Sequence, residues 1–175
     1  MTLFARILTA GLLLGASMPA AFAQGSEGGI TVEAPWSRAT PPGARVGVGY
    51  MTINNEGAEP DRLIGARSER VPQTEVHSMS ITDGVMEMDE LTDGLEIPAN
   101  GTARLEPGSY HLMLVGLEEP LVEGESVPVT LLFETAGEVE VELAVGSIGA
   151  RGPGEPAGSG VSREGHGSHG AHSGH

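Results

Sequence analysis

Turn-forming residues cut the chain every eight to twelve positions between Ile30 and Val145, and no convincing amphipathic helix lies between the cuts. The cuts include Pro41-Pro42-Gly43, Asn54-Asn55-Glu56-Gly57, Thr82-Asp83-Gly84, Asp93-Gly94, Pro98-Ala99-Asn100-Gly101, Glu106-Pro107-Gly108-Ser109 and Ala136-Gly137. Between them, short runs alternate with the period of a strand. In Val46 to Asn54, residues Val46, Val48, Tyr50 and Thr52 take one face, and Gly47, Gly49, Met51 and Ile53 the other. Further strands are expected at Ile30–Trp36, Arg62–Ala66, Thr74–Met79, Val85–Leu91, Thr102–Leu105, Tyr110–Leu117, Val127–Glu134 and Glu138–Val145. Short strands at this spacing, without βαβ units, specify an all-β antiparallel sandwich or barrel. Trp36 and Met51 are assigned to core packing.

The chemistry concentrates between residues 77 and 113. Of six histidines, four fall in the last ten residues. The other two begin the triplets His77-Ser78-Met79 and His111-Leu112-Met113, with Met86-Glu87-Met88 between them. Residues i and i+2 of a strand point the same way, so each triplet presents one imidazole and one thioether to a common side. If the strands carrying them end near one another, a pocket of two nitrogens and one or two sulfurs results. Such a donor set is soft and holds no anion, which favours Cu(I) over zinc. Only the histidines compete with protons, so Cu(I) binding is expected to weaken as pH falls through the imidazole pKa. Taken singly, each methionine reads as core filler and each histidine as a surface residue. Two of two histidines sharing the pattern reverse that reading.

The chain has no cysteine, which removes thiolate zinc sites, iron–sulfur clusters and blue-copper electron transfer. It carries 24 acidic and 9 basic residues, the latter all arginine, for a net charge of −15. Nucleic acid is therefore not an expected partner. The acidity serves solubility, or attracts cations or a basic surface, and the sequence does not separate these.

Both ends differ from the middle. Residues 1–23 have the form of a signal peptide: a short n-region with Arg6, an apolar run from Ile7 to Leu14, and Ala21-Phe22-Ala23 as the cleavage site. The exported chain would begin near Gln24, in the periplasm, with no stable membrane insertion after cleavage and no cysteine for a lipid. Gln24–Gly29 is expected to be a flexible lead-in. A single domain, 30–148, follows. Residues 151–175 are rich in Gly, Pro, Ser and Glu without apolar periodicity and are expected to be disordered. This tail ends in His166, His169, His172 and His175, a spacing that can wrap a divalent ion or simply be solvated.

These residues resemble the periplasmic copper chaperones of the PCu(A)C type. Their hallmark is a histidine, ten residues, a methionine, about twenty-one residues and His-x-Met. Here ten residues separate His77 from Met88, and twenty-two separate Met88 from His111-Leu112-Met113. The likeness extends to Trp36-Ser37-Arg38-Ala39-Thr40-Pro41-Pro42-Gly43, Gly84-Val85-Met86-Glu87-Met88, Gly94-Leu95-Glu96-Ile97-Pro98 and Tyr110-His111-Leu112-Met113-Leu114, and covers about residues 30 to 147. The resemblance implies a cupredoxin-like β-sandwich with Cu(I) on His77, Met88, His111 and Met113. Met79 and Met86 stand as alternates. It implies delivery of copper toward the Cu(A) centre of cytochrome c oxidase, alongside a Sco-type protein, and a second copper, Cu(II), on a C-terminal extension. The tail here has histidines but no methionine.

Three functions compete. A copper transfer protein, not an enzyme, is favoured by exchangeable neutral thioethers; scavenging or storage without an oxidase recipient is its variant. A copper oxidase would need more than two histidines in the folded part. A structural sandwich would bind metal through the tail alone. A hydrolase finds no Gly-x-Ser-x-Gly elbow in the folded part.

Overall fold

The computed structural model describes residues 26–27 and 29–154. The expected signal peptide and tail histidines lie outside the described residues. Eleven strands follow in order: β1 (Ser26–Glu27), β2 (Ile30–Arg38), β3 (Val46–Asn55), β4 (Asp61–Arg67), β5 (Gln73–Thr82), β6 (Val85–Glu90), β7 (Leu95–Ile97), β8 (Gly101–Leu105), β9 (His111–Val115), β10 (Ser126–Phe133) and β11 (Glu138–Gly146). No helix occurs among the described residues. The strands form one hydrogen-bonded path, β6-β5-β9-β3-β2-β11-β10-β4-β7, with β1 on β2 and β8 on β3. The path folds over on itself as a cupredoxin-like β-sandwich.

Alternation dictates what goes inside. In β11, Val139, Val141, Leu143 and Val145 are buried, while Glu138, Glu140 and Glu142 between them are exposed. In β9, Leu112 and Leu114 join Val76 of β5 in the core. Ile30, Val32, Met51, Ile53, Leu63, Leu131 and Phe133 complete its centre. Met51 is 2% exposed, so it is core filler as its isolation suggested.

Three features depart from the simple alternation. β2 carries a bulge between Glu33 and Trp36, where Ala34 has φ 47°. The extra residue flips the register, so Val32 faces the main core and Trp36 the opposite side. Trp36 is buried, but in a small separate cluster with Tyr50 and Ala150. Its ring lies 4.8 Å from that of Tyr50, with the Arg38 guanidinium 5.7 Å and 5.5 Å from the two rings. Second, β2 and β11 pair in parallel while every other strand pair is antiparallel. Third, two short strands were not expected. Ser26–Glu27, in the supposed lead-in, pairs with Thr31 and Ile30, and Leu95–Ile97 pairs with β4. The folded body also reaches Ala150, which is buried and whose carbonyl accepts a 2.6 Å bond from Arg38 Nε.

Asp61 ties the far edge together. Its carboxylate accepts bonds from the backbone N–H groups of Arg62 (2.7 Å), Thr135 (2.9 Å) and Ala136 (2.9 Å), clamping the β10–β11 turn to the start of β4. Burial pushes the Asp61 carboxyl up. The backbone donors of Arg62, Thr135 and Ala136, with the Thr135 hydroxyl, outweigh it and hold the group below its ordinary range. A depressed carboxylate stabilises the fold above its unfolded pKa, about 3.9, and loses that contribution as pH falls through the lower folded value. Asp61→Ala is expected to lower unfolding free energy at pH 7 by about 1–3 kcal/mol, since three partly buried backbone donors lose a charged acceptor. Urea midpoints of both proteins should converge as pH falls through the depressed folded value; an equal gap at pH 7 and in acid would show that the carboxylate charge is not what holds the turn.

Candidate metal centre

The centre is built on three neighbouring strands, β6, β5 and β9. Residues directly opposite one another in an antiparallel pair share a face. His77 of β5 stands opposite His111 of β9 and, on its other side, opposite Glu90 of β6. One row along, Glu75 stands opposite Met113, which is itself opposite Val48 of β3. One row the other way, Met79 stands opposite Met88. Met86 lies a further row out, opposite Ile81. All these side chains lie on the face away from the core, because Val76, Leu112 and Leu114 take the inner positions between them.

The hairpin joining β5 to β6 fixes this register. Thr82 pairs with Val85, leaving a two-residue loop of Asp83 (φ 53°) and Gly84 (φ 81°). Both residues at positive φ make the turn that suits the right-handed twist of a hairpin. A one-residue slip would turn Met86 and Met88 of β6 away from His77 and Met79.

The two imidazoles are held in complementary states. Their ring centres are 5.9 Å apart, with planes inclined by 45°. His77 Nε2 is 2.7 Å from Glu75 Oε2, and the other Glu75 oxygen accepts from Gln73. His111 Nδ1 is 3.2 Å from the Ser109 carbonyl oxygen. A carbonyl can only accept, so His111 donates from Nδ1 and keeps the lone pair on Nε2; the carboxylate selects the Nε2–H form of His77 in the same way. The remaining nitrogens, His77 Nδ1 and His111 Nε2, are buried without a hydrogen-bond partner. They are the two such side-chain atoms among the described residues. Orphaned buried acceptors are costly, and a pair of them on facing rings is an arrangement that a shared ion would satisfy. Nitrogen–metal bonds of about 2.0–2.1 Å let one ion bridge two rings at such a separation.

Burial is graded across the centre. His111 is 2% exposed, the His77 side chain 14%, and Met88 44%. Met113 and Met79 are half-buried. Burial pushes the His111 pKa down; the Ser109 carbonyl opposes this and the neighbouring His77 adds to it, so the ring sits below the ordinary histidine value. No group of three or more His, Asp or Glu suited to a harder cation occurs among the described residues. A broad concavity lined by Arg67, Pro128, Thr130 and Glu140 lies on other strands and includes neither histidine.

The structure therefore brings His77, His111, Met113, Met88 and Met79 onto one face, with Met86 at its outer end. Sequence reading missed Glu75 and Ser109. Glu75 sits two residues before His77, the same-face spacing already used for the methionines, whereas Ser109 acts through its backbone carbonyl, which that spacing does not reveal.

Among known proteins, the family model described as "Putative lipoprotein LpqE-like" matches residues 30–145, and the chain belongs to this family. A protein of Leifsonia xyli subsp. xyli described as "Putative lipoprotein" is 31% identical over 117 residues, covering 67% of this chain and 69% of the relative. The copper-bound PCuAC domain of PmoF2 superposes with a TM-score of 0.59 at 31% identity, covering 70% of this chain and 97% of that domain. The Cu(I) form of DR1885 from Deinococcus radiodurans gives 0.50 at 30% identity, covering 75% and 81%.

The hydrogen bonds set a test that needs no metal. In long-range 15N–1H spectra near pH 7, His111 should be the Nδ1–H tautomer and His77 the Nε2–H tautomer. His111 should titrate below about 6.5. In Glu75→Ala, His77 should lose its tautomer preference while His111 keeps its own; unchanged His77 shifts would mean that Glu75 does not orient the ring.

Proposed function

We propose that this member of the LpqE-like family is a periplasmic copper chaperone that binds Cu(I) through His77, Met88, His111 and Met113 and delivers it toward the Cu(A) centre of cytochrome c oxidase. The observation that carries the reading is the pair of buried, unpartnered nitrogens, His77 Nδ1 and His111 Nε2, on facing rings. The copper-bound PCuAC domain of PmoF2 and the Cu(I) form of DR1885 support it by similarity.

The donor set explains the choice of ion. Two neutral imidazoles and two thioethers offer no anion, so a soft monovalent cation is matched better than zinc or calcium. Burial holds the His111 pKa below the ordinary histidine value, which favours the neutral ring that offers Nε2 to a metal. Glu75 and the Ser109 carbonyl hold the rings from behind, so little ordering is left to the moment of binding. Transfer needs ligands that a partner can displace in turn. Met88, 44% exposed on an edge strand, leaves first, and His111, 2% exposed, leaves last. No reactive nucleophile or redox step is required, so the protein acts as a carrier and not as an enzyme.

Export suits this role. Residues 1–23 serve as the signal, the copper domain spans 30–148, and the description of the Leifsonia relative is consistent with a protein outside the cytoplasm. With no cysteine, this chain has no thiol for a lipid anchor. The recipient is the Cu(A) subunit, with a Sco-type thiol protein as co-worker. In the tail 151–175, His166, His169, His172 and His175 provide a separate site for Cu(II), since imidazole nitrogens suit that ion and thioethers are absent there.

Anaerobic competition for Cu(I) against a chromophoric chelator tests the centre in the exported chain with its four tail histidines replaced by asparagine. One tight equivalent is expected. Removing a ligand in His111→Ala should weaken it by more than about 100-fold, and removing a supporting partner in Glu75→Ala by about 10–100-fold. Met88→Ala should weaken binding as well. Full affinity in both His111→Ala and Met88→Ala would overturn the site, and the transfer function with it.

A further inference from the structure

We propose that Met79, Met86 and Met88 form an outer thioether station on the β5–β6 hairpin, where Cu(I) is first captured and from which it passes to His77 and His111. The inference rests on the copper centre proposed above and adds the route by which the ion reaches it.

Methionine at the tip of this hairpin has no packing reason to be there. All six residues of β6 are exposed, and β6 pairs with β5 alone. Met86 is 62% exposed and Met88 44%, against 2% for Met51 in the core. Large apolar side chains left in water on an edge strand are a liability that sequences normally avoid. The opposite face of the same strand carries Val85, Glu87 and Asp89, so both methionines of the strand lie on the face of the histidines.

Register brings the sulfurs within reach of one ion. Met79 and Met88 are directly opposite, and Met86 lies diagonal to Met79. Direct pairs have Cβ atoms about 4.5–5.5 Å apart and diagonal pairs about 7–8 Å, which three long, unbranched side chains can close. Neutral thioethers are soft donors and select Cu(I). Met88 is common to both sites, opposite Met79 and diagonal to His77. The passage is a ligand exchange: Met88 keeps its sulfur on the ion while the sulfurs of Met79 and Met86 leave and the lone pairs of His77 Nδ1 and His111 Nε2 arrive. Copper stays Cu(I), and with both rings neutral the exchange moves no proton.

A patch for docking another protein would need only apolar surface, which leucine supplies. The double variant Met79→Leu/Met86→Leu in the full exported chain separates the two. Equilibrium competition with a Cu(I) chelator should give an affinity within about threefold of wild type, while stopped-flow loading from the Cu(I)–chelator complex slows about tenfold. Independently, in wild type the methyl signals of Met79 and Met86 should shift with a second equivalent of Ag(I), after those of Met88 and Met113 have shifted with the first. Unchanged loading, or methyls of Met79 and Met86 that never respond, overturns the station and leaves the hairpin as apolar surface. Affinity falling in step with rate also overturns it, because both methionines would then be ligands of the central site. Wild type that takes up no tight equivalent removes the central site, and the station with it.

Discussion

The two-sidedness of strands β5 and β9 is the constraint on which the centre depends. Val76, Leu112 and Leu114 are driven inward by the free energy of burying aliphatic surface, about 1.5–3 kcal/mol for each such side chain. Strand geometry then leaves His77, His111 and Met113 no choice of side. No interaction among the histidines is needed to place them there. The core places them, and the cross-strand pairing of His77 with His111 sets them ring to ring. The same logic explains why the bulge at Ala34 matters. By shifting β2 one residue, it puts Trp36 on the outer face against Tyr50, and their cluster, with Val48 beside it, continues the row that begins at Met113.

A buried imidazole with one nitrogen unsatisfied costs stability, and here two such groups face each other. A sandwich with more than twenty buried apolar residues can carry that cost. Glu75 and Ser109 convert it into preorganisation, because each removes one proton-bearing nitrogen from consideration and fixes the ring. The strain is confined to the side facing solvent, where an incoming ion can relieve it. On the far edge, by contrast, Asp61 has its oxygens fully engaged by backbone donors and contributes to stability alone.

Much of this was legible in the sequence. Periodicity and turn residues located nine strands to within one to three residues, and Asp83-Gly84 was recognisable as the loop of a hairpin. The His-x-Met triplets were readable because a two-residue spacing has one structural meaning on a strand. Other features depend on contacts remote in sequence. β1 has two residues and β7 three, too short for any period to register, and they exist because β2 and β4 offer them partners. The parallel pairing of β2 with β11 and the bulge that permits it follow from closure of the sandwich, not from local preference. The direct opposition of His77 and His111 was likewise invisible, since it rests on how a strand ending at 82 meets one starting at 111. Glu75 lay in plain view, but a carboxylate that braces a ring, as opposed to binding an ion, has no motif of its own.

The acidity of the chain gains meaning at this face. A site made of neutral donors exerts no long-range pull on a cation; its attraction begins only at contact. The net charge of −15 supplies the field that the ligands lack. Arg62, Arg67 and Arg70 make their ion pairs with Glu96, Glu134, Glu138 and Glu125, on strands and turns away from the centre, so they do not offset the field there. Glu90 shares the row of the two histidines, and Glu75 lies in the next. Neither joins the other in a hard-ion cluster, so they attract positive charge without offering the oxygen cage that calcium or magnesium requires. Attraction and selection are thereby divided between different residues: carboxylates gather cations of any kind, and imidazole with thioether keeps only a soft one.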